Sequence, residues 1–242
     1  MGRHQREATV DCGEQYLVLH SECCRLVRSL SAEELAAQVP ATPEWRVRDV
    51  FGHVGGLVAD LNAGRLPGDE GPDAWGAAQV AARGALPIES VLEEWEREAP
   101  TFADGLRLFG YEWGSHFFAD LLVHLHDVQA ALGRSPHDEP LHLAIALDHY
   151  TAFIAEALAA TPQWGSVVVR VGANAWTEEW PIGVGQVRVT IDGAAGEVLR
   201  CLCARRSVRQ MGRVMTGDLN GFVEFLTGAW QVGYSVPSED QL

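Results

Sequence analysis

Several features that mark other protein classes are missing from this sequence of 242 residues. Basic residues are few: 18 Lys and Arg stand against 33 Asp and Glu, which gives a formal net charge of −15. Nucleic-acid binding needs clustered Lys and Arg against phosphates, so this balance argues against it and also disfavours anionic membrane surfaces. No apolar run approaches the ~20 residues of a membrane span, and the N-terminal segment lacks the apolar region of a signal peptide. We therefore expect a cytoplasmic protein with no nucleic-acid or membrane partner.

Cysteine is also scarce, and its spacing is uninformative. The five cysteines are an odd number, and no pair has the C-x-x-C spacing of many zinc and redox sites. In a reducing cytosol they are expected to be reduced, semi-buried and apolar in character. What the sequence does have is 47% hydrophobic residues, enough for a core, in a chain long enough for one large or two small domains.

The apolar pattern predicts helices first and strands afterwards. Helices are expected at 11–30, 45–61, 88–108, 112–132 and 141–160, with a short one starting at the capping box Ser31-Ala-Glu-Glu34. Residues 62–76 are rich in Gly and Pro and are expected to form a loop. Pro100 is expected to interrupt its helix.

The sequence pattern changes near residue 161. Alternating apolar residues predict strands at 165–172, 175–182 and 185–192, followed by helices at 194–204 and 218–232. The expected fold class is therefore α+β. We expect a helical bundle domain over residues 1–162 and a small α+β domain over residues 163–242.

The most informative segment is Asp120-Leu-Leu-Val-His124-Leu-His-Asp127. On a helix, Asp120, His124 and Asp127 fall within an arc of roughly 40–60°, beside a stripe of apolar positions. A carboxylate and an imidazole next to a core are costly unless something pairs with them, and an i, i+4 pair supplies two ligands to a divalent metal. The alternative is a buried, hydrogen-bonded histidine beside a solvated carboxylate. Asp127 is expected to support His124 or to make a helix-packing contact.

His53 is the natural candidate for a third ligand. It lies in the apolar helical stretch Val50-Phe-Gly-His-Val-Gly-Gly56, where Gly52 and Gly56 would let another helix approach closely. Facing helices in an up-down bundle commonly build metal sites from inward side chains. Two histidines and one carboxylate suit Zn²⁺, and equally Fe²⁺, Mn²⁺ or Ni²⁺.

Other residues of the same helix are candidates for the pocket around the metal. His116 lies one turn before Asp120 on the same face and is a candidate acid or base. Trp113 at the start of the helix is a candidate for the pocket mouth and for cosubstrate binding. His126 lies roughly 120° away from this face and is expected at the surface or at an interface.

Two motifs in this order resemble a known family. Trp45-Arg-Val-Arg-Asp49-Val-Phe-Gly-His53 is similar to the "W-x-V-x-D-L-x-x-H-L" segment of the mycothiol-dependent maleylpyruvate isomerase family, and Asp120-x-x-x-His124-x-x-Asp127 to its "E-x-x-x-H-x-x-D" segment. Two upstream segments also resemble this family, namely Leu30-Ser-Ala-Glu-Glu-Leu35 and Thr42-Pro-Glu-Trp45. The resemblance covers residues 11–160 and implies a DinB-like four-helix bundle. One departure is Asp120, where the family usually has Glu.

The resemblance also implies a chemistry. His53, Asp120 and His124 would bind zinc, and mycothiol, a low-molecular-weight thiol, would supply a thiolate at the open position. Arg205 would steady the substrate's carboxylate or a developing enolate, and Arg206 is the next candidate for this role and a candidate for binding the cosubstrate thiol. The alternative is that both are surface cations at a helix end.

Three functions follow as hypotheses. The first is a mycothiol-using isomerase or S-transferase that acts on a small unsaturated or electrophilic carboxylate, as a monomer or homodimer. The second is a metal enzyme that uses no thiol, such as a hydrolase or a tailoring enzyme of secondary metabolism. The third is a non-catalytic binding protein that retains the bundle.

Overall fold

The computed structural model describes residues 2–173, 176–229 and 236–241. The chain divides into two compact units. The helical unit comprises Glu7–Pro136, and the sheet unit comprises Met1–Arg6 together with His137–Leu242. The helix α1 (Arg3–Thr9) spans the division along the chain.

Four long helices form the core of the helical unit, and two shorter ones complete it. The elements are α2 (Cys12–Arg28), α3 (Ala32–Ala36), α4 (Val47–Asn62), α5 (Gly71–Arg83), α6 (Ile88–Phe109) and α7 (Tyr111–Ala131). Helix α6 packs against α2, α4 and α7, and α4 also packs against α5. The largest side chains buried here include Trp95 and Phe51. This arrangement confirms the predicted helical bundle.

Local interactions explain the ends of three of these helices. Asp11 caps α2 by accepting a hydrogen bond from the Glu14 amide at 2.8 Å. Ser31 and Glu34 form a reciprocal capping box at α3. Gly133, with φ of +62°, takes the left-handed conformation that follows the last turn of α7.

Two expectations for this unit are wrong. Residues 71–76 are not a loop, because α5 begins at Gly71 with Pro72 in its first turn and continues through an alanine-rich stretch. Helix α6 is not interrupted at Pro100 but runs through it. Trp95, Ala99 and Phe102 are buried on both sides of the proline, and their packing offsets the lost backbone hydrogen bond.

Among its described residues, the sheet unit has one long helix, a four-stranded sheet and three shorter helices. Its elements are α8 (Pro140–Ala160), a 3₁₀ turn (Pro162–Trp164), β1 (Ser166–Ala173), β2 (Trp176–Gly183), β3 (Val187–Gly193), α9 (Ala195–Leu202), α10 (Val208–Met211), β4 (Met215–Gly217) and α11 (Leu219–Ala229). The strand order is β2-β1-β3-β4; β1 is antiparallel to β2 and parallel to β3, and β4 is antiparallel to β3. The three predicted strands are confirmed, whereas β4 and α10 were not predicted. Residues 230–232 of the last predicted helix lie outside the described residues.

Helix α8 belongs to the sheet unit, where it packs against α9 and β2. The units therefore divide at residues 136 and 137, whereas the predicted domain boundary, which stays a prediction, falls after residue 162. By length and composition alone α8 could cross a membrane, contrary to the expectation that no apolar run is long enough. However, 56% of its most apolar window is buried inside the structure, as in the core helix of a globular unit.

Candidate metal centre

The three predicted ligands meet inside the helical unit. His53 from α4 and Asp120 and His124 from α7 each offer a ligand atom, and these atoms lie within 4.8 Å of one another. The rings of His53 and His124 are 5.0 Å apart at their centroids and inclined at 74°. Asp120 Oδ1 lies 3.6 Å from His124 Nε2. The predicted meeting of residues from two separate helices is therefore present, and metal binding by them stays a prediction.

The arrangement fits a divalent metal ion. Ligand atoms around a tetrahedral zinc are about 3.3 Å apart, given zinc–nitrogen bonds near 2.0 Å, so small side-chain rotations would close this cluster. The buried Nδ1 of His124 has no hydrogen-bond partner, and Asp127 Oδ2 lies 4.0 Å from it. A ligating histidine usually donates its second N–H to such a carboxylate. The same small movement would bring Asp127 into that role.

The charge state of His53 also suits a ligand. Burial, and to a smaller extent the neighbouring His124, lower the pKa of His53 from 6.5 to about 4, although Asp120 and a hydrogen bond to Gln79 oppose the shift. The ring is thus neutral near pH 7. Metal ions bind the neutral imidazole, so no proton has to be displaced from His53 before an ion binds.

Aromatic and glycine residues shape the surroundings of the two rings. The ring centroid of Trp45 lies 4.9 Å from that of His53 and 6.2 Å from that of His124. Gly76 in α5 faces His53 so closely that a Cβ placed there would lie 3.4 Å from Nδ1. Helix α5 therefore packs directly against the His53 ring.

Sequence reasoning missed one polar residue that contacts the site. Gln79 of α5 is buried, and its Oε1 lies 2.8 Å from His53 Nδ1. Apolar periodicity does not identify its helix, because the buried residues of α5 are Gly76, Gln79 and Arg83. Alanine-rich helix propensity after Pro72 was the available signal.

The predicted pocket residues of α7 are found at its exposed N-terminal part. His116 is exposed, and its ring lies 4.8 Å from that of Phe117. Trp113 is also exposed and stacks on Phe117 at 6.3 Å. His126 is buried rather than at the surface, which corrects that expectation. Residues 118–128 of α7 are buried almost without a break, so this part of the helix has no free face.

Arg205 and Arg206 lie in the sheet unit, just after α9. Arg206 is buried and makes a two-point ion pair with Glu197 at 2.8 Å, so it is not a surface cation. Arg205 is half-buried, and its Nη1 donates to the Cys203 carbonyl at 3.2 Å. Ala204, which precedes both, has φ of +59° and is a non-glycine residue in the left-handed region. Residues in this conformation cluster at active sites and ligand-binding segments.

A family model covers the first of the two motifs, which ends at His53. Residues 17–112 match the family model of the mycothiol maleylpyruvate isomerase N-terminal domain. Among solved structures, a mycothiol-dependent maleylpyruvate isomerase is similar at 16% identity with a TM-score of 0.49, and a mutant of it at 14% with a TM-score of 0.48. Each comparison covers 80% of this chain and 88% of the other. No match was found among curated proteins. The predicted family resemblance is confirmed.

Proposed function

We propose that this chain, whose residues 17–112 match the family model of the mycothiol maleylpyruvate isomerase N-terminal domain, is a cytoplasmic, metal-dependent enzyme that uses mycothiol. Its substrate is a small unsaturated or electrophilic carboxylate, and its reaction is an isomerisation or an S-transfer. The observation that carries the proposal is the approach of His53, Asp120 and His124 to within 4.8 Å in one partly buried cluster. Three protein ligands leave a coordination position for a reactant.

The three ligands determine what the site can do. A bound zinc ion, or a similar divalent metal, would lower the pKa of a thiol so that the sulfur is a nucleophile near neutral pH. The chain's own cysteines are not needed for this, since all five are buried. Burial raises the pKa of Cys24 and of Cys201 to about 12, which keeps both thiols protonated and unreactive.

The two reactions share their first step. In an isomerisation, the thiol sulfur adds to one carbon of an activated double bond, the remaining single bond rotates, and the same sulfur leaves as the double bond forms again. In an S-transfer, a proton is added to the neighbouring carbon and the thioether is the product. His116, exposed and one turn before Asp120 on α7, is the residue we assign to that proton transfer.

Substrate and cosubstrate binding are assigned to three further side chains. Trp113 presents an exposed indole on the α7 segment that also carries His116, and we assign it to cosubstrate binding. Arg205 is assigned to the substrate carboxylate, with the strained Ala204 directing it. The buried ion pair of Arg206 with Glu197 supports the same segment, and Arg206 remains our second candidate for thiol binding.

Metal content and thiol dependence together test the proposal. We expect purified protein to hold about one equivalent of metal, and His53→Ala to lose it, while His4→Ala, which changes an exposed histidine outside the cluster, retains it. Mycothiol should raise the melting temperature of the wild type, and chelation should abolish that shift. A panel of unsaturated carboxylates should then be consumed only when mycothiol is present.

The other results identify a different function. Metal that is retained without any response to mycothiol would indicate a thiol-independent metal enzyme. A wild-type protein without metal, unaffected by His53→Ala, would indicate a binding protein that retains the bundle. Sedimentation analysis of the same samples separates a monomer from the homodimer.

A further inference from the structure

A chain of hydrogen bonds leads from His53 away from the cluster into α5. His53 Nδ1 lies 2.8 Å from Gln79 Oε1, and Gln79 Nε2 donates to Asp60 Oδ2 at 3.0 Å. The other carboxylate oxygen of Asp60 accepts a hydrogen bond from Arg65 Nε at 2.8 Å. Gln79 is 2% exposed and the Asp60 side chain 15% exposed, so water competes little for the inner bonds.

The chemistry of Asp60 decides which way the Gln79 amide points. A carboxylate only accepts hydrogen bonds, so the –NH₂ group of Gln79 has to face Asp60. The amide oxygen then faces His53, and an oxygen acceptor requires a proton on Nδ1. A neutral ring with its proton on Nδ1 has its lone pair on Nε2, the only other ring nitrogen.

The position of Gln79 is also constrained by its neighbours. Helix α5 approaches α4 at Gly56, where an added Cβ would lie 2.7 Å from the Gln79 Cβ. Arg83, one turn along α5, forms a two-point ion pair with Glu94 of α6 at 2.7 and 2.8 Å. The helix that carries Gln79 is therefore held on α4 and α6, and the amide has little freedom to move away from the imidazole.

We propose that Gln79 is a positioning residue for the metal centre: oriented by Asp60, it keeps the proton of His53 on Nδ1 and leaves Nε2 free to bind the ion. This inference rests on the proposed metal-dependent function and extends it to two residues that do not themselves bind metal. Hydrogen-bond partners of metal-bound histidines typically contribute 10–100-fold to metal affinity.

Substitution of Asp60 tests the orientation without touching His53 or Gln79. In Asp60→Asn, the new amide keeps its oxygen toward Arg65 and turns its –NH₂ toward Gln79. Gln79 then has to turn, and its –NH₂ faces Nδ1, which becomes an acceptor while the proton moves to Nε2. The affinity for zinc is expected to fall by about 10–100-fold, although the two residues have nearly the same shape.

The double variant Asp60→Asn/Gln79→Glu is the matched control. The amide introduced at position 60 then donates to the carboxylate introduced at position 79, which accepts from His53 Nδ1, and the net charge of the pair is unchanged. We expect this variant to recover most of the lost affinity. Gln79→Met keeps the length of the side chain but removes both hydrogen bonds, so its zinc affinity should remain low. Circular dichroism melting of each variant shows that the fold is retained.

Two measurements separate this inference from the proposed function. Zinc affinity is measured by competition with a chromophoric chelator, and nitrogen-15 chemical shifts of the His53 ring in metal-free protein report which nitrogen carries the proton. A wild type that binds zinc, with folded Asp60→Asn and Gln79→Met binding equally well, would overturn the role of Gln79. A wild type that binds no zinc would overturn the proposed function. The nitrogen chemical shifts test the inference independently of zinc binding, because a proton on Nε2 of His53 in the wild type would refute it.

Discussion

The imidazole rings of His53 and His124 lie 5.0 Å apart although they come from different helices, α4 and α7. Only Asp120 and His124 are neighbours along the chain, at i, i+4 on one helix face. Their predicted partner, His53, reaches them only if α4 packs closely against the neighbouring helices. An added Cβ at Gly55 would be 3.4 Å from Trp95 Cβ in α6, so small residues in α4 permit this close packing.

Asp120 supplies the carboxylate of the cluster, one methylene shorter than the Glu that is usual in the resembling family. Because its Oδ1 already lies 3.6 Å from His124 Nε2, we expect Asp120→Glu to retain zinc affinity within about 10-fold. Asp120→Asn removes the negative charge and should lower the affinity by more than about 10-fold. Competition titrations of both variants measure this. Glu112→Gln, an exposed change on the same helix, serves as control, and an unaltered affinity in Asp120→Asn would show that this side chain is not a ligand.

Gly56 sets the distance between α4 and α5. The Cβ of Gly56→Ala would stand 2.6 Å from Arg83 Nη1 and 2.7 Å from Gln79 Cβ, so α5 has to shift. We expect a loss of about 1–3 kcal/mol in the free energy of unfolding from overpacking, together with weaker zinc binding. The control is Gly105→Ala in α6, where an added Cβ meets nothing within 4 Å. Helix propensity predicts that this change stabilises by roughly 0.5–1 kcal/mol. Urea unfolding should show a lower free energy of unfolding for Gly56→Ala and a higher one for Gly105→Ala.

Arg6 forms a buried ionic cluster within the sheet unit. It is 1% exposed and donates to both oxygens of Asp148 at 2.7 Å and to both oxygens of Glu178 at 2.8 Å. Trp180 Nε1 also donates to Asp148, at 2.9 Å. Arg6→Met would leave buried carboxylates without their cation, and we expect it to cost roughly 3–5 kcal/mol of stability.

A matched control for Arg6 exists in the helical unit. Arg28 also pairs with two carboxylates, Glu89 and Glu96, each at 2.7 Å, but its side chain is 40% exposed. Solvent screens this pair, so Arg28→Met should cost less than about 1 kcal/mol. Thermal and urea unfolding of the two variants compare a buried and an exposed arginine, each paired with two carboxylates. Similar losses of stability in Arg6→Met and Arg28→Met would show that burial does not decide how much such a pair contributes.

The buried His20 makes the stability of the metal-free protein depend on pH. It is buried against Trp95, with ring centroids 4.5 Å apart, and its Nε2 lies 3.5 Å from Cys24 Sγ. Burial lowers the pKa of His20 from 6.5 to about 4; Glu96 opposes this shift, and Arg28 adds to it. The unfolded chain therefore takes up a proton between these values that the folded protein does not. The contribution of His20 is complete above pH 6.5 and is lost as the pH falls toward 4.

The measurement is urea unfolding with a chelator present, from about pH 7 to about pH 4. Within this window one such group changes the free energy of unfolding by at most about 1.4 kcal/mol per pH unit. His20→Gln removes the titrating group, and we expect a shallower decline than in the wild type. Equal slopes would show that His20 does not contribute.

Much of the fold was predictable because it depends on local interactions. Asp11 and Ser31 cap helices through hydrogen bonds within three residues, and Gly133 ends α7 through its own backbone. The alternation of β1, with Val167, Val169 and Val171 buried, follows from the two-residue period of a strand. Pattern analysis failed at α5, where packing on α4 buries Gln79 and Arg83 instead of apolar side chains.

The sequence by itself determined the spacing of Asp120 and His124, since 3.6 residues per turn place positions four apart on one face of any helix. It also determined that the cysteines have no zinc-finger spacing and that the chain is strongly acidic. Only the tertiary structure decided that His53 approaches this pair, that Gln79 contacts its second nitrogen and that α8 packs with the sheet. Those contacts join residues far apart in the chain, and they depend on which helix faces pack together, which short-range patterns do not encode.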